Sequence, residues 1–337
     1  MMKQTVKSLS LVCLLLLLPC SLLEAQAFCA LRDPQQGIYT LFPQATSYRS
    51  VVRTIDDYTK QKVEERLAFQ TLHFSELGRH TLYVALDGEL PLGFIHVRSE
   101  ESRWGLVEVV WALDINLHII DFTFQRCRDS RKKLLQTEVF RNQLRGNNFL
   151  DLVMLLKPGT AELQPNSLEL PVGVEDLAQV LIRCGIKTLL ITEIAWREDI
   201  EKIQNFQRAY KAFGKFDRID QVNSPYTQVV TDKLKVVYGQ APLGKHNVAV
   251  LQVYDKKNNL FGTLYRQTLI MHGQPTTLWW AIQSDNTIVN VENPEGWRTS
   301  LDRQAFNNLW GRRFEQLEHC SNRAELMALE ATIIANH

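Results

Sequence analysis

Two segments of this chain share a pattern of landmarks, and the spacing of these landmarks constrains the fold more than any other feature. Gly93 in LPLGFIHVR precedes Trp111 by 18 residues, and Gly262 in NLFGTLYRQ precedes Trp280 by the same interval. A β-like run follows each tryptophan, IIDF in one segment and IVNV in the other. Such spacing is kept only if the strands and turns between the landmarks are also kept. The sequence therefore predicts two tandem copies of one domain.

Each copy has the same coarse order of elements. The runs TLYVALDGELPLGFIHVRS and AVLQVYDKKNNLFGTLYRQ each predict a strand, a polar turn and a second strand. A further hairpin is expected, with its turn at 114–116 in the first copy. A short helix is expected ahead of the strands, with Ser224 and Pro225 as start signals in the second copy. Another helix is expected to begin near Ser130 or Ser300. The predicted fold class is α+β, with two tandem repeats of a mixed, largely antiparallel sheet domain flanked by helices.

The first 27 residues predict a secretory signal peptide. Lys3 and Lys7 precede a leucine-rich core, and residues 25–27 read Ala-Gln-Ala, the small-x-small pattern that signal peptidase cleaves. The alternative is a retained membrane anchor, although the apolar core is short for a transmembrane helix. Cleavage removes Lys3, Lys7 and Glu24 and so lowers the formal net charge from +1 to 0. A neutral chain has no long-range attraction to nucleic acid. We expect an exported, periplasmic protein with no transmembrane span after cleavage.

The rest of the chain divides at a polar, proline-containing loop, 157–173. The apolar residues after this loop, in 174–213, follow a helical pattern, in which Gly185 is the position least favourable to a helix. We therefore expect a first domain at 28–172, a closing and connecting helix at 173–214, and a second domain at 215–337.

The cysteines and histidines predict neither a metal site nor a catalytic residue. Four cysteines remain after signal cleavage, namely Cys29, Cys127, Cys184 and Cys320. They allow three disulfide pairings among which the sequence does not choose, and burial as free thiols is an equal alternative. The chain has no Cys-x-x-Cys pair, and its histidines lack zinc-ligand spacing.

The order of strands, the SRWG turn at 102–105 and the segment FRNQLRG before a closing helix resemble the FMN-binding domain family. That family includes the C subunit of sodium-translocating NADH:quinone reductase and the G subunit of Rnf complexes. Family members with covalent flavin carry a Gly-Ala-Thr segment, which is absent from the matching positions 171–184 and 319–331. The resemblance therefore implies at most non-covalent FMN, and a domain without any cofactor is the equal alternative.

The family loop that approaches the flavin ring is replaced in the first copy by the cationic segment FQRCRDSRKK. Arginine forks suit phosphate, and a helix N-terminus near Ser130 would add to the attraction. The candidate cofactor-binding residues are therefore Trp104, Gly105, Arg126, Arg128 and Ser130. The alternative for the loop is a solvated basic face with Cys127 packed beneath it.

Taken together, these features predict an exported accessory or electron-transfer component of a membrane redox system. Its partner would be a membrane redox complex or another exported protein. The alternative is a non-catalytic binding or assembly module that has kept the scaffold and lost the cofactor. An exported enzyme of unrecognised type is a third and weaker alternative.

Overall fold

A computed structural model of the chain describes residues 34–67, 72, 76–222, 232, 249–271, 273–294, 296–297 and 299–312. Several predictions lie outside these residues. They concern the signal peptide, Cys29, Cys320, the helix start at Ser224 and Pro225, and the segment 319–331.

The first sheet contains five antiparallel strands in chain order. These strands are β1 Ser47–Ile55, β2 Gly78–Asp87, β3 Leu90–Ser102, β4 Gly105–Leu113 and β5 Ile119–Arg126. Within the described residues, six helices precede, interrupt or follow the sheet, namely α1 Gln35–Leu41, α2 Asp57–Arg66, α3 Lys132–Leu135, α4 Glu138–Leu144, α5 Phe149–Met154 and α6 Glu175–Ala195. Side chains alternate along β3, so that Ile95 and Val97 pack towards α1 while Phe94 belongs to the larger core beneath α6.

The second sheet also contains five antiparallel strands in chain order. These strands are β6 Arg218–Val222, β7 Ala249–Tyr254, β8 Leu260–Met271, β9 Gln274–Gln283 and β10 Ile288–Glu292. Helix α7, Arg197–Phe213, leads into this sheet, and α8, Ser300–Asn307, follows it. The α+β class with two sheet domains is therefore confirmed, and within the described residues both sheets are antiparallel throughout.

The landmarks of the two copies occupy matching positions. Trp111 of β4 lies opposite His96, and Trp280 of β9 lies opposite Tyr265. Both tryptophans are buried, with 1% and 0% of their surface exposed. They are therefore core residues, as the repeat pattern indicates.

The turn glycines after each sheet make the same backbone contact. The amide of Gly146 donates to the carbonyl of Ile119 at 2.8 Å, and the amide of Gly311 donates to the carbonyl of Ile288 at 2.8 Å. The φ angles of these glycines are 82° and 78°, in the left-handed region where glycine is favoured.

Gly93 and Gly262 are required by close packing. A Cβ on Gly93 would lie 2.7 Å from the Phe42 ring, and a Cβ on Gly262 would lie 2.5 Å from the Phe213 ring. Each would also approach a carbonyl oxygen of the neighbouring strand. Each glycine thus lets an aromatic ring at a helix end rest directly on the strand backbone.

The segment expected as one closing and connecting helix forms two. Helix α6 continues through Gly185, where a Cβ would lie 3.0 Å from side-chain atoms of Trp111 and Leu152. Glycine is therefore present here for packing. The helical run is interrupted at Trp196 instead, whose buried indole donates to the carbonyl of Val51 at 2.9 Å.

The helices expected near Ser130 and Ser300 begin within two residues of those positions, and the differences concern caps and element order. Strand β1 precedes α2, and in the second copy β6 ends at Val222, ahead of Ser224, where the expected helix start lies outside the described residues. Helix α3 begins at Lys132, two residues after Ser130, and its N-cap, Arg131, makes no side-chain capping hydrogen bond within the described part of the chain. In the second copy Thr299, not Ser300, is the N-cap, since its hydroxyl accepts from the Asp302 amide. Both Ser130 and Ser300 stand within two residues of the observed starts, which is the usual uncertainty of helix ends.

No helix in the described part of the chain combines the length and the apolar character needed to cross a membrane.

Candidate functional site

The five predicted cofactor-binding residues lie at one end of the first sheet. Trp104 and Gly105 form the turn between β3 and β4, and Gly105 has a φ of 93°. Arg126 is the last residue of β5, and Arg128 and Ser130 lie in the loop that follows it; this end of β5 lies beside the start of β4. The structure therefore brings the two predicted groups to the same end of the domain.

Most cations of the loop after β5 are already paired within the protein. Arg131 contacts Asp129 at 2.5 Å and Asp176 at 3.1 Å, and its guanidinium lowers the pKa of the Asp129 carboxyl. Lys132 donates to the carbonyl of Cys127 at 3.1 Å. Arg126 lies 3.5 Å from Glu108. These contacts favour a basic surface neutralised by its own neighbours.

The exposed part of this end is nevertheless aromatic and cationic. Trp104 is 53% exposed, and the guanidinium carbon of Arg103 lies 5.3 Å from the centre of its ring. Arg103 also contacts Asp176, the carboxylate that binds Arg131. Asp176 therefore links the Trp104 turn to the loop.

The remaining loop residues are accounted for by packing and exposure. Ser130 and Arg128 are exposed, whereas Cys127 is half-buried and packs against the main core. Burial raises the pKa of the Cys127 thiol, which makes it a poor nucleophile. Cys127 and Cys184 are both free thiols.

A second candidate site lies between the two sheet domains. Here an open cleft of about 560 Å³ is lined by the β4–β5 turn, the junction of α6 and α7, and strands β8 and β9. Helix α7 contributes one face to it, namely Arg197, Ile200, Glu201, Gln204 and Arg208. These positions recur at helical spacing, so they share one face. Ligand pockets commonly have this volume and often lie at domain interfaces.

At the floor of this cleft, two arginine side chains pack against one tryptophan ring. The guanidinium carbon of Arg208 lies 4.7 Å from the centre of the Trp279 ring, and that of Arg266 lies 5.7 Å from it. Arg208 is 6% exposed and Trp279 is 5% exposed. Burial lowers the pKa of Arg208, and the positive charge of Arg266 contributes to the same effect. The cleft therefore holds two like charges in a partly dehydrated setting.

Carboxylates around the cleft are each engaged by an arginine. Arg208 donates through Nε to Glu292 at 3.2 Å, and Arg266 lies 3.3 Å from Glu201. Glu193 is bound by Arg66 at 2.8 Å, and Arg66 is not among the residues that line the cavity. Arg197 is exposed at the wall.

His118 stands on the β4–β5 turn at the edge of the cleft. A hydrogen bond to Asp114 at 3.1 Å raises the pKa of the His118 imidazole. When it is protonated, His118 adds positive charge to the cleft.

A third group of charged residues is buried inside the first domain and lines no described cavity. Lys187 of α6 lies 3.0 Å from Glu76 and 2.5 Å from Glu100, while Arg98 lies 2.9 Å from Glu76. All four side chains are at most 3% exposed. Burial, and then the charge of Arg98, holds the pKa of nearby His80 at about 4. This network joins α6 to the sheet and offers no access for a ligand.

The arginines of the cleft are not among the residues predicted from the sequence. Arg197, Glu201, Gln204 and Arg208 follow the spacing of one helix face, and this polar face could have been recognised in a segment read only for its apolar positions. Nothing local, however, links that face to Arg266 and Trp279, which lie on a separate sheet.

No protein-family model matches the chain, and no curated protein is significantly similar to it. The resemblance to FMN-binding domains therefore rests on the residue pattern alone.

Proposed function

We propose that the protein is an exported, non-catalytic binding module that holds a small molecule in the cleft between its two sheet domains. The two domains are degenerate FMN-binding-like units that have kept the scaffold. The observation that carries this proposal is the cavity of about 560 Å³ with Arg208, Arg266 and Trp279 at its floor. The loop predicted to bind a cofactor supports it indirectly, because the cations of that loop are largely paired internally.

The architecture of the cleft suits binding better than catalysis. Its walls come from both domains, so a ligand would contact each of them and hold them together. Its arginines are permanently charged and cannot serve as a general base. The cleft thus offers charge and shape for the recognition and orientation of a ligand.

The test is to block the cleft and follow bound small molecules. Gln204 projects from α7 at the cleft and donates to the carbonyl of Ile115 at 2.6 Å. A Gln204→Trp variant would place a bulky ring in the cavity. Gln61→Trp, on the exposed surface of α2, is the matched control. Native mass spectrometry of protein purified from its export compartment would report bound molecules.

We expect a bound small molecule in the wild type and in Gln61→Trp, and its loss in Gln204→Trp. Retention of the same molecule in a folded Gln204→Trp variant would contradict binding in the cleft.

A second candidate function is electron transfer with non-covalent FMN, as an accessory to a membrane redox complex. The exposed Trp104 ring beside the loop with Arg126 and Arg128 favours it, because these groups occupy the place where the family resemblance implies flavin. Titration with FMN, followed by the visible absorbance of flavin and by its reversible reduction, tests this candidate. It requires bound flavin whose affinity falls in the Arg126→Ala and Arg128→Ala variants. Unchanged affinity in both variants would contradict it.

A further inference from the structure

We infer that the cleft recognises an oxyanion, a phosphate or carboxylate group of its ligand, through Arg208 and Arg266. The inference rests on the proposed binding function and names the chemical class of the ligand.

The first reason is the proximity of two positive charges. Both guanidinium groups lie against the same Trp279 ring, at 4.7 and 5.7 Å from its centre. Cation–π contact restrains both guanidinium groups, and burial also restrains Arg208, so less side-chain freedom is left to lose when an anion binds. The positive charge of each arginine also repels that of the other, and an anion between them would offset this repulsion.

The second reason is the supply of hydrogen-bond donors. A guanidinium carries five N–H groups in a planar fork that matches the oxygens of phosphate or carboxylate. Glu292 takes the Nε donor of Arg208, and Glu201 approaches Nη1 of Arg266. Nε of Arg266 is buried and has no hydrogen-bond partner among the described residues. Donors therefore remain for an incoming oxyanion.

The third reason is the local charge. The carboxylate of Glu193 is neutralised by Arg66 from outside the cleft, whereas Arg197 stands exposed in the wall. His118 adds positive charge when protonated. The cavity is also larger than a bare oxyanion requires, so it has room for a ligand with a body attached to its anionic group.

The experiment compares ligands that differ only in the anionic group. The full chain is titrated with FMN, with riboflavin, which lacks the phosphate, and with inorganic phosphate, and binding is followed by calorimetry. We expect FMN to bind about tenfold or more tightly than riboflavin, and inorganic phosphate to compete with it. Phosphate binding as tight as that of FMN would identify the free ion as the ligand source.

Variants connect the effect to the two arginines. Arg208→Gln and Arg266→Gln should each weaken phosphate and FMN binding about tenfold to a hundredfold. Arg208→Lys should lose less, because it keeps the charge and loses the fork. Arg266 is 30% exposed, so its variant is the one that should fold without difficulty.

Arg218→Gln is the matched control. Arg218 also stacks on an aromatic ring, Tyr254 at 4.2 Å, and also pairs with a carboxylate, Asp220 at 2.8 Å, but it lies on β6 outside the cleft lining. The affinity of the Arg218→Gln variant for phosphate and FMN should equal that of the wild type. Circular dichroism melting confirms that each variant is folded.

Two results would overturn the inference. One is equal affinity for FMN and riboflavin that no arginine variant changes, which leaves the proposed binding function intact if Gln204→Trp still abolishes binding. The other is no binding of any of the three probes at millimolar concentration, in which case a molecule that co-purifies and is lost in Gln204→Trp would still support binding in the cleft.

Discussion

The two sheets share strand order and register but differ in the chemistry of one buried face. On β3 this face carries His96 and Arg98, which lie opposite Trp111 and Val109. The matching positions of β8 carry Tyr265 and Gln267, opposite Trp280 and Leu278. All four are buried, yet only Arg98 belongs to an ionised network. The scaffold is thus specified by glycine and tryptophan landmarks, and the charge of the face varies independently.

The largest expected difference between the sheets follows from breaking the network of the first. Lys187→Met leaves Glu76 and Glu100 buried without their shared cation. Removal of one partner from a buried ion pair costs about 3–5 kcal/mol. Urea unfolding, with hydrogen exchange of β3 amides to report the first domain, measures this loss. Exposed Lys211→Met is the control, and a loss similar to that control would contradict the importance of the network.

Acid should also destabilise the first sheet selectively. The unfolded chain protonates histidine near pH 6.5, whereas burial keeps folded His80 neutral down to about 4 and holds the pKa of His96 well below its usual value. The unfolded state therefore binds more protons in this window. The free energy of unfolding should fall by about 1.4 kcal/mol per pH unit for each histidine between pH 6.5 and 4.

The matching measurement is hydrogen exchange of β3 and β8 amides at several pH values. His80→Gln should reduce the slope for β3, while β8, with Tyr265 in the position of His96, should show no such slope. A β8 slope equal to that of β3 would remove the contrast between the sheets.

Substitution of the glycine landmarks should lower the stability of both sheets by similar amounts, because the two glycines have equivalent surroundings. Gly93→Ala and Gly262→Ala each force a Cβ against an aromatic ring and a strand carbonyl. Such overpacking costs about 1–3 kcal/mol. Gly37→Ala in α1 is the control, because the atoms nearest to its Cβ would be those of the Val110 side chain, at 3.2 Å or more. Thermal melting should show two similar losses, and a loss confined to one sheet would argue against equivalent roles.

The smallest effect is expected from the neutral face of the second sheet. Both side-chain polar atoms of Gln267 are buried and have no hydrogen-bond partner among the residues that the structure describes. Gln267→Met removes those atoms at similar shape, so stability should stay within about 1 kcal/mol or rise slightly. A large loss on urea unfolding would show that Gln267 has a structural role similar to that of Arg98.

The fold could be predicted from the sequence as far as periodic landmarks extend. The repeat of Gly93 and Trp111 predicts the antiparallel sheets, because the same interval recurs in the second copy. The sequence predicts α6 and α7 as one helix with a weak point at Gly185. In the structure the helix continues through Gly185, which leaves room for the Trp111 ring, and the break comes at Trp196. Helix propensity is local, whereas this close approach is a tertiary contact.

The site was less predictable for a similar reason. Arg126 and Arg128 form an obvious charge cluster in sequence, but the carboxylates that neutralise their loop, such as Glu108 and Asp176, come from other elements. The cleft shows the opposite case. Arg208 and Arg266 are far apart in the sequence, and no sequence motif indicates that both contact Trp279.

The central claim is that the cleft binds an oxyanion between Arg208 and Arg266, and a heavy oxyanion tests it most directly. Crystals soaked with tungstate, an electron-dense phosphate analogue, would show its position by anomalous scattering. The account predicts a peak within hydrogen-bonding distance of both guanidinium groups beside Trp279. A peak only at the loop that carries Arg126 and Arg128, with none in the cleft, would contradict it.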